Sequence, residues 1–149
     1  MTQKLSDVLE MYLKTVLMLE REFNPVRISH IAKARGVSAA SVTEATQTLR
    51  EKGLILHRSH GGVRLSAKGR RMALAVEARH AVLHGFLTEI LGVEDRVAGR
   101  DACEIEHVAS TETMDRLTVL LEYLKQSEDC MAGFLKKFRT FSALRAEKE

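Results

Sequence analysis

The sequence predicts a mainly α protein, a winged helix-turn-helix domain over residues 1–72 followed by an all-helical domain over 73–149. Three observations carry that prediction. The 149 residues contain one Pro and nine Gly amid many Ala, Leu, Glu, Lys and Arg, a composition that favours helices. The stretch "RISHIAKARGVSAASVTEATQTLREKGLI" reads as two helices about a glycine turn. Directly after it, "LILHRSHGGVRLSAKG" gives two short alternating runs joined at Gly61-Gly62, the pattern of a β-hairpin.

The first element, "SDVLEMYLKTVLMLERE", is an amphipathic helix of about four turns. Leu9, Tyr12, Leu13, Val16, Leu17 and Leu19 form its core stripe. Met11 lies off that stripe, nearly opposite its centre, where a thioether is either a surface residue or a soft ligand. A short helix then spans Ile28 to Arg35, with a turn at Gly36 and Val37. The second helix starts at the cap Ser38 and ends near Lys52 and Gly53. Its inward face is Val42, Ala45, Thr46 and Leu49; Ala40, Thr43, Glu44 and Gln47 lie opposite, small or hydrogen-bonding groups that suit a major groove. These four, with Ser38 and Ala39 at the helix start and Arg58 and Arg64 near the hairpin tip beside His60, are the candidate DNA contacts.

Charge supports a polyanion partner. Residues 27–71 hold ten Lys or Arg against Glu44 and Glu51, a local balance of +8 in a chain of net charge +3, which leaves −5 for the remainder.

Beyond the hairpin, Ser66 opens a long helical stretch that ends at a turn near Gly92, and further helices are expected near Asp101–Ser110 and Thr111–Lys125. His80 and His84 share one face of the long helix. Cys103, Glu106 and His107, at i, i+3 and i+4, also project from one face and could hold one metal ion. Met114, Leu117, Leu120, Leu121 and Leu124 supply an apolar face for a core or a dimer contact, and Phe134, Leu135, Phe138, Phe141 and Leu144 mark a last helix. The acidic, amphipathic N-terminus has no apolar signal core. Two cysteines without scaffold spacing, and no membrane-spanning run, predict a cytoplasmic protein with reduced thiols.

Over roughly residues 5–125, "EMYLKTVLMLE", "IAKARGVSAASVTEATQTLREKGLI", "LSAKGRRMA", "RHAVLHGFL" and "DACEIEHVAS" resemble, in order and spacing, the diphtheria-toxin-repressor family of metal-dependent transcriptional regulators. The length resembles the short, manganese-regulator-like form without an SH3-like domain. This resemblance implies a homodimer, a helical metal-binding and dimerisation domain, and DNA binding promoted by Fe(II) or Mn(II). It further implies repression of metal-homeostasis genes from a palindromic operator, with recognition helices about one duplex turn (~34 Å) or a multiple apart.

The resemblance also implies ligands. Met11, Cys103, Glu106 and His107 stand where iron-type members hold the regulatory ion, and His80 matches a ligand of both branches. The ancillary site departs from the family: His84 stands at a Glu position and Gly99 at a His position. Manganese-type members carry Asp at Met11 and Glu at Lys14 and Cys103, so the sulfur donors here favour Fe(II) over Mn(II), with Co(II), Ni(II) or Zn(II) as substitutes in vitro. Two alternatives remain open at this point. One is a winged-helix regulator that senses another ligand and holds a structural zinc; the other is a metalloenzyme, which lacks an HExxH or comparable catalytic motif.

Overall fold

The protein is described by a computed structural model over residues 5–58 and 62–146. His60 and the side chain of Arg58 lie outside the described residues. The chain divides into two compact units, Met1–Ala78 and Arg79–Glu149.

The first unit begins with α1 (Asp7–Leu19), then β1 (Val26–Arg27), α2 (Ile28–Arg35), α3 (Ala39–Glu51), β2 (Ile55–Arg58) and β3 (Gly62–Leu65). Helix α1 buries Tyr12, Leu13, Val16, Leu17 and Leu19 as its stripe demands, with Leu9 partly buried. Glu10 and Thr15 are buried as well. Helix α2 stops where Gly36 turns into the left-handed region (φ 65°), which lets Val37 N donate to the Ala32 carbonyl at 3.1 Å. Ser38 then restarts the chain by accepting from Ser41 N at 3.1 Å.

The buried face of α3 is Val42, Ala45, Thr46 and Leu49, and its Val42, Ala45 and Leu49 join Leu13, Val16, Ile31, Leu54, Ile55 and Val63 in one core. Strands β2 and β3 pair antiparallel from Ile55↔Leu65 to Arg58↔Gly62. The two alternating runs account for β2 and β3; β1 adds a third strand through Val26↔Val63 and Arg27↔Gly62, giving the order β1-β3-β2. Two residues are too few for alternation to announce a strand.

Helix α4 (Ala67–Gly85) runs through the division between the units, and the expected boundary at 72/73 also falls inside it. Its start is tied to the end of β3: Ser66 N donates to the Leu54 carbonyl at 2.9 Å and Ser66 Oγ to the Gly53 carbonyl at 2.8 Å. Gly69 is required by this close approach, because a Cβ there would stand 1.9 Å from Leu54 O.

In the second unit α4 passes into a π turn, Phe86–Ile90, followed by α5 (Asp95–Val108), α6 (Thr111–Lys125) and α7 (Glu128–Ala146). Helix α5 starts earlier than the expected Asp101. Glu94 caps it with both carboxylate oxygens, to Arg96 N at 3.1 Å and Val97 N at 3.2 Å, and Ala98 and Ala102 are buried one turn apart. Small clusters hold this unit: Leu83, Ala102 and Met114 in one, Ile90, Leu121 and Leu124 in another. Leu120 and, on α7, Phe134, Phe141 and Leu144 are exposed, although their spacing placed them on apolar faces. Among the described residues no helix is long and apolar enough to cross a membrane.

Candidate metal centre and nucleic-acid face

Cys103, Glu106 and His107 come together on α5 because their i, i+3, i+4 spacing stacks them on one face. Their ligand atoms all lie within 4.8 Å of one another. Glu106 is fully buried (0% exposed), His107 is buried, and the free thiol Cys103 is half-buried. A carboxylate withdrawn from water this completely demands partners. Glu106 Oε2 lies 2.8 Å from His80 Nδ1, reaching from α5 to α4, and Oε1 lies 3.3 Å from His107 Nε2.

His80 is thus joined to the triad through Glu106. His84 is drawn elsewhere: its ring stacks on His80 with centroids 6.0 Å apart, but Nε2 lies 3.2 Å from Asp95 Oδ1. Asp95 was not singled out from the sequence, since the pairing depends on where α5 begins. A thiol, a carboxylate and an imidazole within one small buried cluster fit a divalent transition ion and leave coordination positions for further donors.

Met11 belongs to the first unit, where it is half-buried on α1. Its Sδ accepts from Arg35 Nη2 at 3.8 Å, and its carbonyl accepts from Thr15 Oγ1 at 2.8 Å. Lys14, three residues along the same helix face, is also half-buried.

The outward face of α3 is open. Ser38, Ala39, Ala40, Thr43, Glu44 and Gln47 are all exposed, as is Arg64 on β3. Some of these side chains already have local partners: Ser38 caps the helix, Thr43 Oγ1 donates to the Ala39 carbonyl at 2.8 Å, and Gln47 Nε2 donates to Glu51 Oε1 at 3.3 Å. Ala39 and Ala40 are small and exposed in the first turn, so a partner can approach the backbone closely there.

Comparison with known proteins gives one pattern. Residues 4–63 match the family model of the iron dependent repressor N-terminal DNA binding domain, and residues 66–132 that of its metal binding and dimerisation domain. The chain is 29% identical over 122 residues to an uncharacterized HTH-type transcriptional regulator of Methanocaldococcus jannaschii, covering 81% of this chain and 98% of that protein. To the HTH-type transcriptional regulator MntR of Shouchella clausii it is 32% identical over 120 residues, 80% of this chain and 83% of the relative.

Among solved structures, the manganese regulator SloR superposes with a TM-score of 0.70 at 28% identity over 77% of this chain. A manganese-dependent transcriptional repressor in complex with manganese superposes at 0.67, with 31% identity over 85%. The chain spans about half of these two solved chains, 54% and 53%.

Proposed function

Since the chain belongs to the iron-dependent repressor family of metal-dependent transcriptional regulators, we propose that it is a DNA-binding repressor activated by a divalent transition ion held by Met11, Cys103, Glu106 and His107. The observation that carries this reading is the buried cluster of sulfur, oxygen and nitrogen donors on α5. The family is one of transcriptional regulators, which leaves the metalloenzyme alternative without support.

When bound, the ion supplies a link between donors on α1 and donors on α5, and so fixes the orientation of the two domains. Cys103 contributes a thiolate, His107 a neutral imidazole and Met11 a thioether. Glu106 contributes a second negative charge and is oriented by His80, the kind of outer partner that sets ligand position and basicity. His80 also stands ready as a further ligand, whereas His84, paired with Asp95, contributes less.

Two sulfur donors favour Fe(II) over the harder Mn(II), and make Co(II), Ni(II) and Zn(II) competent in vitro. In a homodimer, two α3 helices about one duplex turn (~34 Å) or a multiple apart read a palindromic operator. Thr43, Glu44 and Gln47 face base edges; Arg58 and Arg64 of the wing meet phosphates. Metal and DNA then tighten each other's binding by the same factor, and the genes repressed are those of metal homeostasis.

The test is DNA binding by anisotropy, on duplexes selected from a random pool, anaerobically at fixed salt with Fe(II), Mn(II), Co(II), Zn(II) or chelator. Strong binding that requires metal, with Fe(II) or Co(II) ahead of Mn(II), is expected. Equal binding by chelated protein overturns metal activation.

A further inference from the structure

Arg35, the last residue of α2, directs its guanidinium at a residue proposed as a metal ligand. Its Nη2 lies 3.8 Å from Met11 Sδ, and its Nε is buried with no hydrogen-bond partner among the described residues. A thioether is a weak acceptor, so this partly buried cation is poorly compensated where it stands. Lys14 adds a second cation to the same face of α1.

An ion bonded to that sulfur would face the guanidinium across a single atom, and like charges at such range repel strongly outside bulk water. We infer that Arg35 is a competing cation that caps Met11 in the metal-free protein and sets the metal threshold. Its guanidinium opposes an ion at the sulfur's other lone pair unless it moves away. The opposition acts on the Met11 bond alone, so it weighs most on ions that gain most from sulfur, and it narrows their advantage over hard ones. Arg35 is therefore a specificity-determining residue, and this rests on Met11 being a ligand.

The experiment measures Co(II) affinity of the full chain without DNA, by competition with a chromophoric chelator, for the wild type, Arg35→Leu, Arg35→Gln and Met11→Ala. Thermal melting of each metal-free protein runs alongside. Both Arg35 variants are expected to bind Co(II) roughly ten-fold tighter, and the metal-free melting point to stay level or rise. Co(II) should gain more than Mn(II) from either substitution, because Mn(II) draws little on the sulfur whose opposition is removed.

Met11→Ala is expected to weaken Co(II) binding. If it does while both Arg35 variants bind as the wild type or more weakly, the competing-cation role is overturned and the ligand assignment stands. Tightening by Arg35→Leu without tightening by Arg35→Gln removes charge as the cause and overturns the role too. If Met11→Ala leaves affinity unchanged, the ligand assignment falls and takes this inference with it.

Discussion

Glu106→Gln separates a metal ligand from a buried packing group. The carboxylate is 0% exposed, with Oε2 2.8 Å from His80 Nδ1 and Oε1 3.3 Å from His107 Nε2. Glutamine has nearly the same volume, and its carbonyl can still accept from His80 Nδ1. The metal-free fold then loses only the difference between charge-assisted and neutral hydrogen bonds, about 1–2 kcal/mol. Alanine would add a cavity and so confuse the two roles.

On the proposed ligand set the ion, by contrast, loses one of two anionic donors, and affinity should fall by at least the ~10–100-fold that lost outer-shell partners alone cost. At free Co(II) of 100 times the dissociation constant the wild type gains about 2.7 kcal/mol; a variant bound a hundred-fold more weakly keeps only ~0.4 kcal/mol. For a chain of 149 residues those gains correspond to roughly 5–10 °C and ~1 °C of melting point. Calorimetric melting with and without Co(II) reads both. Full Co(II) stabilisation of Glu106→Gln would show that the carboxylate is no ligand, and a metal-free melting point more than ~10 °C below the wild type would show that it is chiefly structural.

Two further outcomes are expected. Gly69→Ala should destabilise by about 3 kcal/mol or more, because its Cβ would sit 1.9 Å from a backbone oxygen that cannot move cheaply; Gly36→Ala meets nothing within 4 Å and should cost only ~1–2 kcal/mol for its left-handed backbone. Denaturant midpoints compare the pair, and equal losses would contradict the close approach of α4 to Leu54. On the exposed face of α3, Gln47→Ala should change preference among operator variants by ~1–3 kcal/mol, whereas Arg64→Ala should weaken all of them alike and lower the salt slope by about one. Titrations at several salt concentrations distinguish them, and a uniform loss for Gln47→Ala would remove it from base readout.

What the sequence made legible was local. The bounds of α2 and α3 follow from Gly36, Ser38 and a 3.6-residue apolar period, all within one short stretch. Strand β1 was not legible, because two residues beside a proline carry no period and their partner is β3, far along the chain. The start of α5 was misplaced since Glu94 is not among the usual capping residues and the first turn, Asp95–Ala98, has no apolar stripe. The π turn at Phe86–Ile90 has no signal in composition or period. The same divide runs through the site: the triad on α5 is a local spacing, but the complete burial of Glu106, its reach to His80 on α4 and the pairing of His84 with Asp95 are contacts between helices.

The contact between Arg35 and Met11 bears on why a thioether stands at position 11. A carboxylate there would meet the same guanidinium, and the two would form a charge-assisted hydrogen bond far stronger than a 3.8 Å contact to sulfur. Metal capture would then have to break an ion pair instead of a weak N–H···S contact, and Lys14, three residues along the helix, would compete for the same oxygen atoms. A thioether avoids this because it carries no charge for either cation to hold, while it still offers a soft ion a lone pair. The donor at position 11 and the cations around it thus form one unit of chemistry. If Met11 is the ligand proposed, converting it to Asp alone should trade a releasable donor for one held by the guanidinium, and a hard-ion site on this scaffold should require Arg35 to change with it.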